Sequence, residues 1–212
     1  MTALARLDRI WTAPELALLR TLDSPAAIQG FLDGVPYATD HRYRAPRQVM
    51  ADRTAHCFDG AVFAALALQR LGLPPLLVDL RAERDDDHVI AVYRVRGAFG
   101  AISKSNCAGL RFREPIYRGL RELVMSYFEF YFNTASEKSL RSYSAPFSLA
   151  GARASDWTHD PKALAVIARR LDRVRHLALL SRSMVERLAR VDPRTYAAGM
   201  LGADEAGLYR PD

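Results

Sequence analysis

Cysteine is scarce in this chain and long apolar runs are missing. Its 212 residues hold two cysteines, Cys57 and Cys107, too few for a disulfide framework, and no C-x-x-C pair suggests zinc. No apolar stretch reaches the roughly 20 residues of a membrane-spanning helix. The first residues, Met1 to Ile10, mix arginine and aspartate with leucine and lack the apolar core of a signal peptide. His41, His159 and His176 stand far apart, without ligand spacing. No internal repeat or low-complexity linker divides the sequence. These absences lead to the expectation of a cytoplasmic protein without membrane attachment, folded as one domain over 1–212, using neither metal nor organic cofactor.

Charge narrows the partners. The net charge of +6 is carried by arginines spread along the chain. The densest stretch, Arg169 to Arg190, also contains Asp172 and Glu186 and alternates with Leu, Val and Ala, the pattern of a solvated helix face rather than a nucleic-acid stripe. A nucleic-acid partner is therefore not expected.

The informative residue is Cys57. It heads an apolar, alanine-rich run to Leu71, which Gly72 and Pro74-Pro75 terminate. This predicts a buried helix over about 55–71, with Thr54 as a plausible N-cap. A cysteine in the first turn faces unpaired backbone N–H groups and the positive end of the helix dipole, which favour a thiolate. Three strand-like runs follow, Leu76–Leu80, His88–Val95 and Phe99–Ser103, the last two joined by a turn at Gly97. The acidic loop Arg84–Asp87 delivers the chain to His88. Further helices are predicted over 1–35, near Gln48, over Ile116–Phe132 with its aromatic run as core, and from Asp160-Pro161 to about Arg190. The tail from Gly199 reads as loose. The fold class is α+β, a buried cysteine-bearing helix on a small antiparallel sheet with flanking helices.

A helix-borne thiol and a strand-borne imidazole are the parts of a cysteine nucleophile, with His88 as base and then acid. The Gly97 hairpin sets His88 opposite the stretch from Ser103 to Asn106, from which a side chain could hold the imidazole.

The segment Arg53-Thr54-Ala55-His56-Cys57 through Leu71-Gly72-Leu73 resembles the nucleophile helix of the transglutaminase-like superfamily, whose fold is papain-like. His88 falls where that family has its strand histidine, and Gly97 with Phe99 is similar to the turn that follows. Ser103 falls at the family's aspartate. The resemblance spans about 50–105, within a core of about 48–106. The wider stretch from Gly100 to Phe128 resembles a bacterial branch of these proteins. That branch brings no activity with it; the superfamily resemblance implies a cysteine hydrolase or acyltransferase acting on amide bonds of a peptide or protein, with Cys57 and His88 as dyad and Ser103 or Asn106 orienting the imidazole. A hydroxyl at 103 stabilises an imidazolium poorly where the family has a carboxylate. Asp87 adjoins His88 and should point away from it in a strand. The oxyanion hole would be the Cys57 N–H with one upstream donor, for which Gln48 is the candidate. The alternative is a non-catalytic binding module on the same scaffold, since fold does not dictate function.

Overall fold

The computed structural model describes residues 8, 10–152 and 154–211. The expected helices over 1–7 therefore lie outside the described residues. The helices are α1 (Ala13–Thr21), α2 (Pro25–Asp33), α3 (Pro46–Asp52), α4 (Cys57–Arg70), α5 (Leu120–Met125), α6 (Ala154–Trp157), α7 (Pro161–Leu171), α8 (Arg182–Val185) and α9 (Pro193–Gly199). The strands are β1 (Leu76–Ala82), β2 (His88–Val95), β3 (Ala98–Ile102), β4 (Arg113–Tyr117), β5 (Leu140–Ser144), β6 (Phe147–Ser148) and β7 (His176–Ala178). They form one antiparallel sheet in the order β4-β3-β2-β1-β5-β7, with β6 beside the start of β1. The class is α+β.

α4 is held at both ends by local chemistry. His56, not Thr54, is its N-cap: His56 Nδ1 accepts from Phe58 N at 3.2 Å, and Asp59 Oδ2 accepts from His56 N at 3.4 Å. At the other end the Leu71 N–H returns to the Ala67 carbonyl, and Gly72 takes the left-handed φ of 82° that turns the chain away. Every residue from Phe58 to Leu68 is buried. The alanines let the helix lie close to β2. Gly60 has a separate reason: a Cβ there would collide with Lys104. The buried Lys104 ammonium bonds the Leu32 carbonyl at 3.0 Å and also that of Val35, which ties the chain after β3 to the end of α2.

The hairpin is as the sequence predicts. Arg96 and Gly97 both have positive φ, the two-residue turn that matches strand twist, and Val95 pairs with Ala98. The alternation along β2 divides the core. Val89, Ala91 and Tyr93 pack with α4 on one face, whereas Ile90 and Val92 pack with Leu123, Val124, Tyr127 and Tyr131 on the other.

Two predicted helices are shorter than their periodicity suggests. In place of a helix over Ile116–Phe132, Arg113–Tyr117 is an edge strand on β3, where Pro115 is tolerated because an edge leaves N–H groups unpaired. Helix α5 then begins after Gly119, and Phe128–Phe130 is a 3-10 turn. The helix from Pro161 ends at Leu171 rather than near Arg190, because His176–Ala178 leaves it to pair with β5. Sheet edges recruited segments whose local pattern favours helix.

Candidate functional site

Cys57 opens α4 beside the start of β2. Its S–H donates to the Asp87 carbonyl at 3.9 Å, and the backbone N–H groups of Val89 and Phe58 also face the sulfur. Burial nevertheless pushes the thiol up to about 11, with Asp59 and Asp86 adding to the rise and the two N–H groups opposing it. This corrects the expectation of a thiolate favoured by the helix N-terminus. Desolvation outweighs the backbone donors, and the nearby acids act against them.

His88 is buried, with Nε2 3.0 Å from the Leu110 carbonyl and its ring edge-on to Tyr131. A carbonyl only accepts, so the proton sits on Nε2 and Nδ1 keeps a lone pair. Burial lowers His88 to about 4; the Leu110 bond works against this and Arg113 adds to it. Ser103 Oγ donates to the same Leu110 carbonyl at 2.6 Å. Ser103 itself is pinned by Gln29, which bonds its backbone N–H at 3.1 Å and carbonyl at 3.0 Å. The group holding the imidazole is thus a backbone carbonyl, with Ser103 bonded to the same oxygen.

Cys57 and His88 line one cleft. They reach it from different sides of β2, since Val89 faces α4 and His88 contacts Tyr131 on the opposite layer. No hydrogen bond joins sulfur and imidazole among the described residues.

Asn106 also lines this cleft. It does not hold His88: its Nδ2 donates to the Asp204 carbonyl and its Oδ1 accepts from Asp204 N, both at 2.8 Å. Gln48 is not among the cleft residues. Its Oε1 accepts from Ala45 N at 2.9 Å and closes the first turn of α3, so its amide is used as a cap. Asp87 Oδ1 accepts from Ala82 N at 2.8 Å, away from the imidazole. The cap His56 is held down to about 4, by burial first and then Arg44.

Tyr37 was not singled out by sequence. A bridge to Ala55 sets it beside the entry to α4, and it lines the cleft with Cys57. The Cys57 N–H interacts with its phenol oxygen, and burial raises the phenol far above its ordinary value, so it stays protonated. The sequence signal was only a tyrosine between Pro36 and a turn, indistinguishable from a core residue. In the acidic loop Asp86 and Asp87 are exposed and Asp85 is half-buried. Asp85 accepts from Ser139 Oγ at 2.5 Å, and burial lifts it to about 6. The tail is pinned across the cleft rather than loose, with Leu208 and Tyr209 in its wall.

Among the described residues no group of three or more His, Cys, Asp or Glu side chains could hold a metal ion, and no helix is long and apolar enough to cross a membrane.

No family model matches the chain, and no curated protein matches it. Among solved structures it is similar to Legionella pneumophila LapG, at 13% identity and a TM-score of 0.35, over 50% of this chain and 71% of that one. EGTA-treated Legionella pneumophila LapG gives 10% identity and a TM-score of 0.41, over 81% and 98%. At these values the likeness is loose and assigns no residue a role.

Proposed function

We propose that this protein is a cysteine hydrolase or acyltransferase acting on an amide bond, with Cys57 as nucleophile and His88 as acid and base. The observation that carries the reading is the Leu110 carbonyl on His88 Nε2. It leaves Nδ1 with its lone pair, and His88 lines the cleft that Cys57 shares. Thiol and imidazole both rest neutral, so His88 acts as general base during attack rather than holding a preformed thiolate. Sulfur adds to the carbonyl carbon as its proton passes to Nδ1. The tetrahedral oxygen accepts from the Cys57 N–H, which Tyr37 releases, and from the Tyr37 O–H. The imidazolium then protonates the departing amine, and the thioester goes to water or another nucleophile. Ser103 acts as a positioning residue through Leu110, and a peptide or protein is the amide source.

The second reading, a non-catalytic binding module, is favoured by one specific observation: the thiol proton bonds the Asp87 carbonyl instead of the imidazole. Iodoacetamide alkylation of Cys57 across pH, with Cys107→Ser throughout, separates the two. The enzyme reading expects His88→Ala to slow neutral-pH alkylation by about tenfold or more, the contribution of a lost base. Identical profiles with and without His88 would leave the binding module.

A further inference from the structure

Residues 200–210 return to the cleft from the far end of the chain. α9 seats Gly199 on the Phe132 ring, and Tyr196 packs against the same ring at 5.5 Å. Beyond it, Asp204 is gripped through its backbone N–H and carbonyl by Asn106, each at 2.8 Å. A short 3-10 turn over Glu205–Gly207 follows, and Thr134 Oγ1 then donates to the Tyr209 carbonyl at 3.0 Å. All three bonds read peptide backbone and none reads a side chain. That is how a groove binds a peptide rather than a particular residue.

The side chain is read once, at Gly207. A Cβ there would lie 3.1 Å from Asn106 Nδ2, 3.1 Å from Tyr37 Cδ1 and 3.2 Å from Thr39 Cγ2. Gly207 is not among the glycines with positive φ, so it is needed for close approach and not for backbone freedom. Two of its three contacts, Tyr37 and Asn106, line the cleft with Cys57. Arg210 lines an adjoining pocket that also holds Cys57, Asp86 and Asp87, so its charge is opposite in sign to that of its acidic neighbours.

We infer that the segment Asp204–Arg210 is an intramolecular occupant of the groove beside Cys57, and that the groove's external ligand is a peptide segment presenting a glycine to Tyr37 and Asn106. The inference deepens the proposed function and rests on it only for the chemistry that follows binding. The tail must leave before the ligand enters. Tethering gives it an effective concentration of about a millimolar or more, so it competes well even when each contact is weak.

The test uses the full chain with Cys107→Ser. Gly207→Phe cannot fit between Tyr37, Asn106 and Thr39 and should release the tail. N-ethylmaleimide labelling of Cys57 should then accelerate about tenfold, and hydrogen exchange should lose protection over 203–209 while β2 keeps it. A synthetic peptide Asp-Glu-Ala-Gly-Leu-Tyr-Arg, added to Gly207→Phe, should restore slow labelling saturably, whereas the same peptide with Phe for Gly should not. Asn106→Ala should also release the tail, and added to Gly207→Phe it should weaken rescue by the peptide. Unchanged labelling and exchange in Gly207→Phe, or a peptide without effect at about ten times the concentration of competing occupancy, would overturn the inference. The proposed chemistry fails separately. If labelling responds to the tail but not to His88→Ala, the groove stands and the protein is a peptide-binding module.

Discussion

His88 and His176 are both gripped through Nε2, but by different partners and with different consequences. His176 Nε2 lies 2.9 Å from Asp79 Oδ2, and its Nδ1 lies 2.7 Å from the Val174 carbonyl. Both ring nitrogens face acceptors, so this imidazole is a clamp between β7 and β1. His88 has one acceptor, the neutral Leu110 carbonyl, and its second nitrogen has no hydrogen-bond partner among the described residues. The histidine–carboxylate pair, which a catalytic site would be expected to use, serves here to join strands. The histidine in the cleft is oriented without a charge and keeps a lone pair to use. The proposed function therefore falls on the histidine that lacks a carboxylate partner and keeps one ring nitrogen unfilled.

Exchanging the two kinds of acceptor tests that contrast. The largest effect should come from Ser103→Asp, which installs a carboxylate beside His88. Ser103 is fully buried and its hydroxyl donates to Leu110. An aspartate there cannot donate, and its charge is desolvated, so urea denaturation at pH 8 should show a loss of roughly 3 kcal/mol. The His88 imidazole, followed by NMR, should titrate above its present value of about 4. Unchanged stability would mean that the Leu110 carbonyl does not organise this site.

A comparable but pH-dependent effect should follow from His88→Gln. His88 titrates near 4 when folded and near 6.5 when unfolded. Between these values the unfolded chain binds the extra proton, so stability rises with pH across that window and falls as pH drops toward 4. His88→Gln should flatten this acid limb by about 2–3 kcal/mol. His56, also held near 4, leaves a residual slope of the same sign. An acid limb unaltered by the substitution would place the titration elsewhere.

Asp79→Asn should have the smallest effect. The amide oxygen can still accept from His176, and Ser144 Oγ bonds the Asp79 backbone N–H rather than its side chain. Burial already raises the Asp79 carboxyl, with His176 opposing, so losing the charge removes a desolvation cost along with an attraction. A loss of about 1 kcal/mol in chemical denaturation is expected. A much larger loss would make the clamp, rather than the sheet's apolar faces, the main tie of β7.

The sequence made some of this legible and not the rest, for reasons that differ by residue. α4, β2 and the Arg96-Gly97 turn could be read because their signals are local: a run of alanines between a cap and Gly72, a β-branched strand, a glycine at the hairpin. β4 and β7 could not, because each is a short segment that pairs at a sheet edge against its own helical pattern. Cys57 and His88 could be picked because their side chains are chemically distinctive. Leu110 could not, since the useful atom is a backbone carbonyl and any residue carries one. Asn106 and Gln48 were chosen for amides that the fold spends on backbone groups. Tyr37 depends on a bridge to Ala55 that no spacing encodes.

The pairing of Asn106 with Asp204 spans 98 positions, and this has a consequence for the order of events during synthesis. α4 and the β1–β2–β3 meander are contiguous, and their contacts close over short loops, whereas the segment Asp204–Arg210 can dock only after about a hundred further residues have been synthesised. Low-separation contacts form early and distant ones late. The newborn protein should therefore pass through an interval in which the thiol is already positioned and still uncovered. Any peptide bound during that interval would meet an empty groove, and any later one a competitor.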